Sequence, residues 1–144
     1  MSESLERLVL TGRFREAEQL ASRSGREVLE AALKQVGLED RNLAAYAFLN
    51  HLIQKHETAD THFLAAMLLH AAFSHLPGSM ASAMHHARRA AELAPDKVRY
   101  KEFLLMFRDA PEELMSPEEA EELARQILRA DPDSVVARSV LGWF

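Results

Sequence analysis

The stretch from residue 61 to residue 95, THFLAAMLLHAAFSHLPGSMASAMHHARRAAELAP, constrains the fold more than any other part of the chain. It holds two segments with apolar residues at helical spacing, joined by the turn sequence Leu-Pro-Gly-Ser at residues 76–79. The first segment is apolar nearly all round, which predicts a helix that is covered on several sides. The second places alanines along one side, and small side chains let two helices approach closely. We therefore predict a central helical hairpin.

The rest of the chain shows the same helical periodicity. The predicted helical segments are residues 3–23 (two helices, broken at Gly12), 26–36, 40–56, 61–76, 79–93, 97–107, 117–130 and 133–142. Gly37 is expected to cap the C-terminus of its helix, and Ser116 is expected to form a capping box with Glu119. No segment shows the strict alternation of a β-strand. The chain is predicted to be all-α, with a single domain over residues 1–144.

Composition excludes several classes of function. The chain has no cysteine, which excludes disulfides, thiolate metal sites and a cysteine nucleophile. Its formal net charge of −5 argues against a nucleic-acid partner, because phosphate binding needs clustered Lys and Arg. The longest apolar run, residues 63–69, is far shorter than the ~20 residues of a membrane span. No signal-peptide pattern opens the chain, so we expect a cytoplasmic protein without a membrane partner.

The helical segments repeat at a regular period. Gly12 and Gly78 lie 66 residues apart, and each precedes an alanine by five residues. Four further positions recur with an offset of 37 residues: Ala83, Ala87, Ala90 and Pro95 correspond to Ala120, Ala124, Ile127 and Pro132. Both offsets lie near one or two times ~34 residues, the period of tetratricopeptide repeats (TPR).

The chain resembles the tetratricopeptide-repeat family in the turn and second helix at residues 78–95, again at residues 117–132, and in the turn at residues 11–17. The resemblance implies a right-handed α–α superhelix, a TPR-like solenoid of about four helical hairpins plus a C-terminal capping helix. In that family the first helices of successive hairpins line a concave groove that binds a partner.

The resemblance also implies a place for partner binding. The corresponding groove walls are residues 26–36, 61–76, 97–108 and 134–142. On the best-matched copy, the positions that face the groove are Ala65, Leu68, Ala72 and His75. These residues are mostly small or apolar, which favours an apolar helix or extended segment of a protein or peptide partner. Packing in the core explains Leu68 equally well.

The histidines are the first candidates for chemistry, since all seven lie between residues 51 and 86. A zinc site on a helix needs imidazoles at i and i+3 or i+4. His51 and His56, like His70 and His75, are five residues apart, which turns the second side chain ~140° away. The spacing argues against a metal site and favours imidazoles on the surface or in the groove. No catalytic motif is present either, so neither a cofactor nor a catalytic residue is predicted.

The end of the chain offers a second apolar surface. Val140, Leu141, Trp143 and Phe144 follow one another without a polar cap. The last repeat of a solenoid normally has a polar outer face. An uncovered end of this kind favours either folding back into the groove or self-association as a homodimer.

Three hypotheses for function follow. The leading one is a bacterial-type cytoplasmic adaptor, a non-enzymatic scaffold that holds a partner segment in an apolar groove. The second is a dedicated chaperone of a secreted protein or an immunity protein that neutralises a toxin, and it differs from the first in the identity of the partner. The third, a metal-dependent enzyme, rests on the histidine cluster alone.

Overall fold

The chain folds into helices joined by short turns. The computed structural model describes residues 3–142. Within this range there are nine α-helices and no β-strand, which confirms the all-α prediction. The helices are α1 (Leu5–Leu10), α2 (Phe14–Ser24), α3 (Arg26–Leu33), α4 (Ala44–Lys55), α5 (Ala59–Ala72), α6 (Ser79–Leu93), α7 (Val98–Leu105), α8 (Pro117–Ala130) and α9 (Val135–Val140). Across residues 3–142, no helix combines the length and the apolarity needed to cross a bilayer.

Two helices continue in a different helical form. A π-helix, Lys34–Glu39, follows α3 without a break, and a 3-10 helix, Met106–Asp109, follows α7 in the same way. The predicted C-terminal cap at Gly37 is therefore wrong, because the chain stays helical to Glu39. Gly37 is buried, and a Cβ atom built on it would lie only 2.4 Å from Leu68 Cδ1. A close approach to α5, not a helix end, explains this glycine.

The α5–α6 pair is the hairpin predicted at the centre of the chain. Gly78 adopts a left-handed conformation (φ 84°) at the start of α6, which glycine reaches without steric strain. Both helices present alanines that are almost completely buried: Ala65, Ala66, Ala83, Ala87 and Ala90. Side chains of one carbon let the two helix backbones approach closely.

Helices that are neighbours in sequence are also neighbours in space. Beyond these contacts, α1 touches α3, the π-helix and α4. Helix α2 also touches α4, the π-helix touches α5, and α7 touches α9. Helix α5 meets α7 through Phe63, whose ring centroid lies 5.2 Å from those of Tyr100 and Phe103. The buried side chains form one connected cluster from Leu5 to Ala137.

Ser116 is the N-cap residue of α8, as predicted, but it does not form the predicted capping box with Glu119. Its hydroxyl oxygen accepts a hydrogen bond from the Glu119 backbone N–H at 3.0 Å, and Pro117 occupies the first turn. The Glu119 carboxylate, however, pairs with the Arg88 guanidinium at 2.6 Å instead of returning to the backbone of Ser116. The N-cap is confirmed and the reciprocal half of the capping box is absent.

Candidate functional site

One face of α5 carries apolar side chains that reach solvent. Successive residues of an α-helix are rotated by ~100°, which places Leu64 and Ala71 within about 60° of Met67 on one side. Phe63 and His70 fall within about 60° of Met67 on the other side. Met67 therefore lies on the crest of this face, and its side chain is 43% exposed.

A small apolar cavity opens on the first side of this crest. It lies between α3, the π-helix, α4 and α5 and has a volume of about 100 Å³. Its walls are mostly aliphatic, with Leu33, Leu38, Leu49, Leu64, Met67 and Leu68 among them. Two charged residues of opposite sign, Glu30 and Lys34, also line it. A cavity of ~150 Å³ with such a lining holds a benzene molecule, so this one suits a single aliphatic side chain.

A wider depression of about 220 Å³ opens on the second side of the crest. Aromatic rings form much of its wall. The Phe103 and Phe107 ring centroids lie 5.6 Å apart at a right angle, and the His70 ring lies edge-on to Phe103 at 6.3 Å. Met106, which is 50% exposed, stands beside them, and Asp109 supplies a negative charge.

The cavity and the depression lie on the two sides of the same face of α5, and together they are here called the α3–α5–α7 face. Leu38, Met67 and Met106 stand on three successive units: the π-helix that extends α3, α5, and the 3-10 helix that extends α7. They are 39%, 43% and 50% exposed, respectively. Leu38 and Met67 line the same cavity, while His70 connects α5 to the depression beside Met106. Exposed apolar side chains grouped in this way are typical of surfaces that bind another molecule.

Of the four groove residues predicted from the sequence, only Leu68 contributes to the α3–α5–α7 face. Ala65 and Ala72 are buried in the core, and Leu68, 5% exposed, lies at the floor of the small cavity. His75 is exposed in the turn that follows α5. Ala65 and Ala72 are rotated about 160° and 140° from Met67, so they point away from the α3–α5–α7 face. A partner contact through these four residues stays a prediction. The side of α5 that is exposed is the side centred on Met67.

The predicted self-association surface is described only in part. Val140 and Leu141 are half-buried and pack against the core. Trp143 and Phe144 lie outside the described residues. Dimerisation through this end stays a prediction.

Most histidines have separate environments. His51 bonds to Glu18 at 2.7 Å and stacks on Phe48. His70 lies against the Phe103 ring of α7 and the Phe107 ring of the 3-10 helix that follows it. Within residues 3–142 no three or more His, Asp or Glu side chains are grouped so as to hold a metal ion.

His62 and His86 are the exception, because they meet in the core. They are 2% and 5% exposed, and their Nδ1 atoms lie 2.8 Å apart. The expectation of surface or groove histidines is therefore wrong for this pair. The midpoint between the two residues is Ser74, in the turn between α5 and α6. His62 and His86 are therefore equally far along the chain from Ser74, which brings them to a similar height in the hairpin. This spacing could have indicated the contact from the sequence.

Each outer nitrogen of the pair also has a partner. His86 Nε2 lies 2.8 Å from the Tyr46 hydroxyl on α4. His62 Nε2 lies 2.7 Å from Glu57 Oε2, in the turn before α5. Arg89 donates two hydrogen bonds to the same carboxylate, at 2.8 and 3.2 Å. A chain of hydrogen bonds thus runs from Tyr46 through both imidazoles to Glu57 and Arg89.

Two members of this hydrogen-bond chain, Glu57 and His86, have shifted pKa values. Hydrogen bonds from Arg89 and then His62 lower the pKa of Glu57 to about 2. Burial, and then charge repulsion from His62 and His85, lower the pKa of His86 to about 4. The carboxylate is therefore ionised and His86 is neutral at pH 7.

Comparison with protein-family models, with curated proteins and with solved structures found no match to this chain.

Proposed function

We propose that this chain is a TPR-like helical-repeat module that binds a segment of a partner protein on the α3–α5–α7 face, without catalysis. The observation that carries the proposal is the exposed large hydrophobic residue on each of three successive units: Leu38, Met67 and Met106. Single exposed apolar residues are ordinary on a protein surface. Three that flank one apolar cavity and one aromatic depression form a surface that gains free energy when it is covered.

Helix contacts support the repeat architecture. In a stacked array each unit contacts only its neighbours. Here α1 contacts α3, the π-helix contacts α5, and α7 contacts α9, so the first helices of successive pairs adjoin one another. The proposed arrangement is a right-handed superhelix of four helix pairs, with α9 as the last, capping helix. The α3–α5–α7 face then consists of first helices, the ones that line the groove in the family.

The chemistry of the face defines its occupant. The small cavity accepts one aliphatic side chain, and the aromatic depression accepts a second apolar or sulfur-containing one. Glu30 and Lys34 beside the cavity and Asp109 beside the depression can pair with charges of both signs. The proposed ligand is a protein segment that presents large apolar side chains on one side, with charges next to them.

A substitution on the crest tests the proposal. Met67→Glu places a charge at the centre of the face. Leu43 is 53% exposed and immediately precedes α4, so Leu43→Glu adds the same charge away from the cavity and the depression. A library of displayed 12-residue peptides is selected against the wild-type protein. We expect the enriched peptides to contain Leu, Met or Phe. We also expect Kd to rise at least ~10-fold with Met67→Glu, about 1.4 kcal/mol, and to stay unchanged with Leu43→Glu.

The same pair of variants applies to capture from the native host followed by mass spectrometry. A partner retained by wild type and Leu43→Glu but lost by Met67→Glu supports the proposed face and gives the identity of the ligand. Its identity also separates an adaptor from a secretion chaperone or an immunity protein. Peptides or proteins that bind Met67→Glu as tightly as wild type would contradict the proposed site.

A further inference from the structure

The direction of each hydrogen bond in the buried histidine chain follows from the Glu57 carboxylate. An ionised carboxylate only accepts hydrogen bonds, so the Nε2–H group of His62 donates to it. Neutral His62 then has a bare Nδ1, which accepts from the Nδ1–H group of His86. Neutral His86 in turn has a bare Nε2, which accepts from the Tyr46 hydroxyl. Every polar atom of the pair is satisfied when both imidazoles are neutral.

One additional proton fits the same geometry. Protonated His62 donates from both nitrogens, to Glu57 and to the Nδ1 of His86. His86 then carries its proton on Nε2 and donates to the Tyr46 oxygen, whose hydroxyl hydrogen turns away. The positive charge lies next to the Glu57 carboxylate, which favours it. No heavy atom has to move.

A second proton does not fit. With both rings protonated, two N–H groups point at each other across an Nδ1 to Nδ1 distance of 2.8 Å, and two cations share a buried site. We propose that His62 and His86 form an acid-sensitive latch, which joins the α5–α6 hairpin to Tyr46 of α4 and holds at most one proton while it is closed. This proposal does not depend on what binds the α3–α5–α7 face.

The titratable and charged groups around His62 and His86 determine how the pair responds to acid. Tyr46 faces it from α4, Glu57 from the turn before α5, and His85 and Arg89 from α6. The Arg89 guanidinium is engaged by Glu57 and Glu92. The ring centroid of exposed His85 lies 5.3 Å from that of His86, close enough for charge repulsion to oppose a second proton on the pair. Burial, and then charge repulsion from His62 and His85, give the low pKa of His86, about 4.

Proton linkage gives the expected effect on stability. In the unfolded chain each histidine binds a proton below pH ~6.5. The closed latch holds at most one, so the unfolded state binds at least one more proton than the folded state in acid. Stability from the latch is complete above about pH 6.5 and is lost as pH falls towards 4, the folded-state pKa of His86. The contribution of His86 then raises the unfolding constant roughly 7-fold from pH 6 to pH 5, just below the ~10-fold limit for one proton per pH unit.

Nuclear magnetic resonance of the wild-type protein tests the protonation states directly. Imidazole nitrogen spectra are recorded from pH 7.5 to pH 4.5. At pH 7.5 we expect His86 protonated on Nδ1 and His62 on Nε2. We expect no folded species with both rings cationic at any pH. Two cationic imidazoles at positions 62 and 86 in the folded protein would overturn the proposal.

A substitution isolates the contribution of the second proton. The amide of His86→Gln can accept from Tyr46 and donate to His62 but cannot be protonated. The control is His75→Gln, which removes an exposed histidine in the turn after α5. The unfolding constant, measured with urea between pH 6 and pH 5, should depend on pH in His75→Gln as it does in the wild type. In His86→Gln this dependence should be weaker by nearly one proton, roughly 7-fold over that interval. Equal slopes in wild type and His86→Gln would overturn the latch, and the spectra of the wild type decide the question if the variant fails to fold.

Discussion

At the scale of single residues, the contact between Gly37 and Leu68 fixes how the π-helix packs on α5. Leu68 Cδ1 occupies the space in which a side chain at position 37 would begin, 2.4 Å from an ideal Cβ. The Ala45 Cβ also lies 3.2 Å from that position. Leu68 is thereby held in the floor of the small cavity, and the shape of the cavity depends on the absence of a side chain at position 37.

Gly37→Ala is expected to destabilise the protein although alanine is the better helix former. The gain in helix propensity is at most about 1 kcal/mol, whereas an extra methyl group in a packed core costs about 1–3 kcal/mol. We expect a net loss of about 1–2 kcal/mol in the free energy of unfolding, measured with urea.

Leu68→Val provides the matched control for this clash. It removes the overlapping carbon, so its cost should be smaller in the Gly37→Ala background than in the wild-type background. Gly37→Ala with wild-type stability or better would show that Leu68 moves aside freely. Additive effects of the two substitutions would show that the two residues do not interact.

At the scale of elements, hydroxyl N-caps define where α5 and α8 begin. Helix α5 has a complete capping box, in which the Thr58 hydroxyl accepts from the Thr61 backbone N–H at 3.1 Å. Helix α8 has only the Ser116 half. The carboxylate of Glu119 instead accepts hydrogen bonds from Arg88 and so links α8 to α6. The sequence suggests Glu119 as a capping residue, but in the structure it connects two helices.

Ser116→Ala is expected to reduce the free energy of unfolding by about 1 kcal/mol, because the Glu119 N–H loses its acceptor. The control is Ser82→Ala within α6, where the hydroxyl only donates to the Gly78 carbonyl at 2.9 Å. Alanine has a higher helix propensity than serine there, so a change below about 0.5 kcal/mol is expected. Thermal or urea unfolding measures both. Equal effects of the two variants would argue against a stabilising N-cap at Ser116.

At the scale of the whole molecule, stability is expected to be highest in the central hairpin and lowest at the C-terminal helix. Helices α5 and α6 have 14 and 15 residues, and both are buried along much of their length. Helix α9 has six residues, of which only Ala137 is buried. Opening α9 therefore exposes little apolar surface, whereas opening the hairpin exposes most of the core.

Native-state hydrogen exchange tests this gradient. Backbone amides in the middle of α5 and α6 should exchange at least roughly 100-fold more slowly than those of α9, and α8 should lie between them. At pH 5 the difference should shrink because the latch between His62 and His86 weakens in acid. Equal protection of α5 and α9 at neutral pH would mean that the chain opens as a single unit.

The exposed side of α5 is a feature of the site that the sequence does not predict. Helix α5 is apolar on every side, so its periodicity predicts a helix but does not indicate which side is covered. The family resemblance points to Ala65, Leu68 and Ala72, which are buried, while Met67 and His70 reach solvent. Which side is exposed depends on where α3, α4, α6 and α7 pack, and these positions are not local properties of the segment.

The sequence by itself determined the features that depend on neighbouring residues: nine helices among the described residues, the turn before α6 and the N-cap at Ser116. Such features follow from helical periodicity and turn chemistry within a few residues. Only the tertiary structure decided the π-helix at Gly37, the exposed α3–α5–α7 face and the pairing of His62 with His86. Each of these arises where separate helices pack, because side chains distant in sequence compete for the same space and the same hydrogen-bond partners.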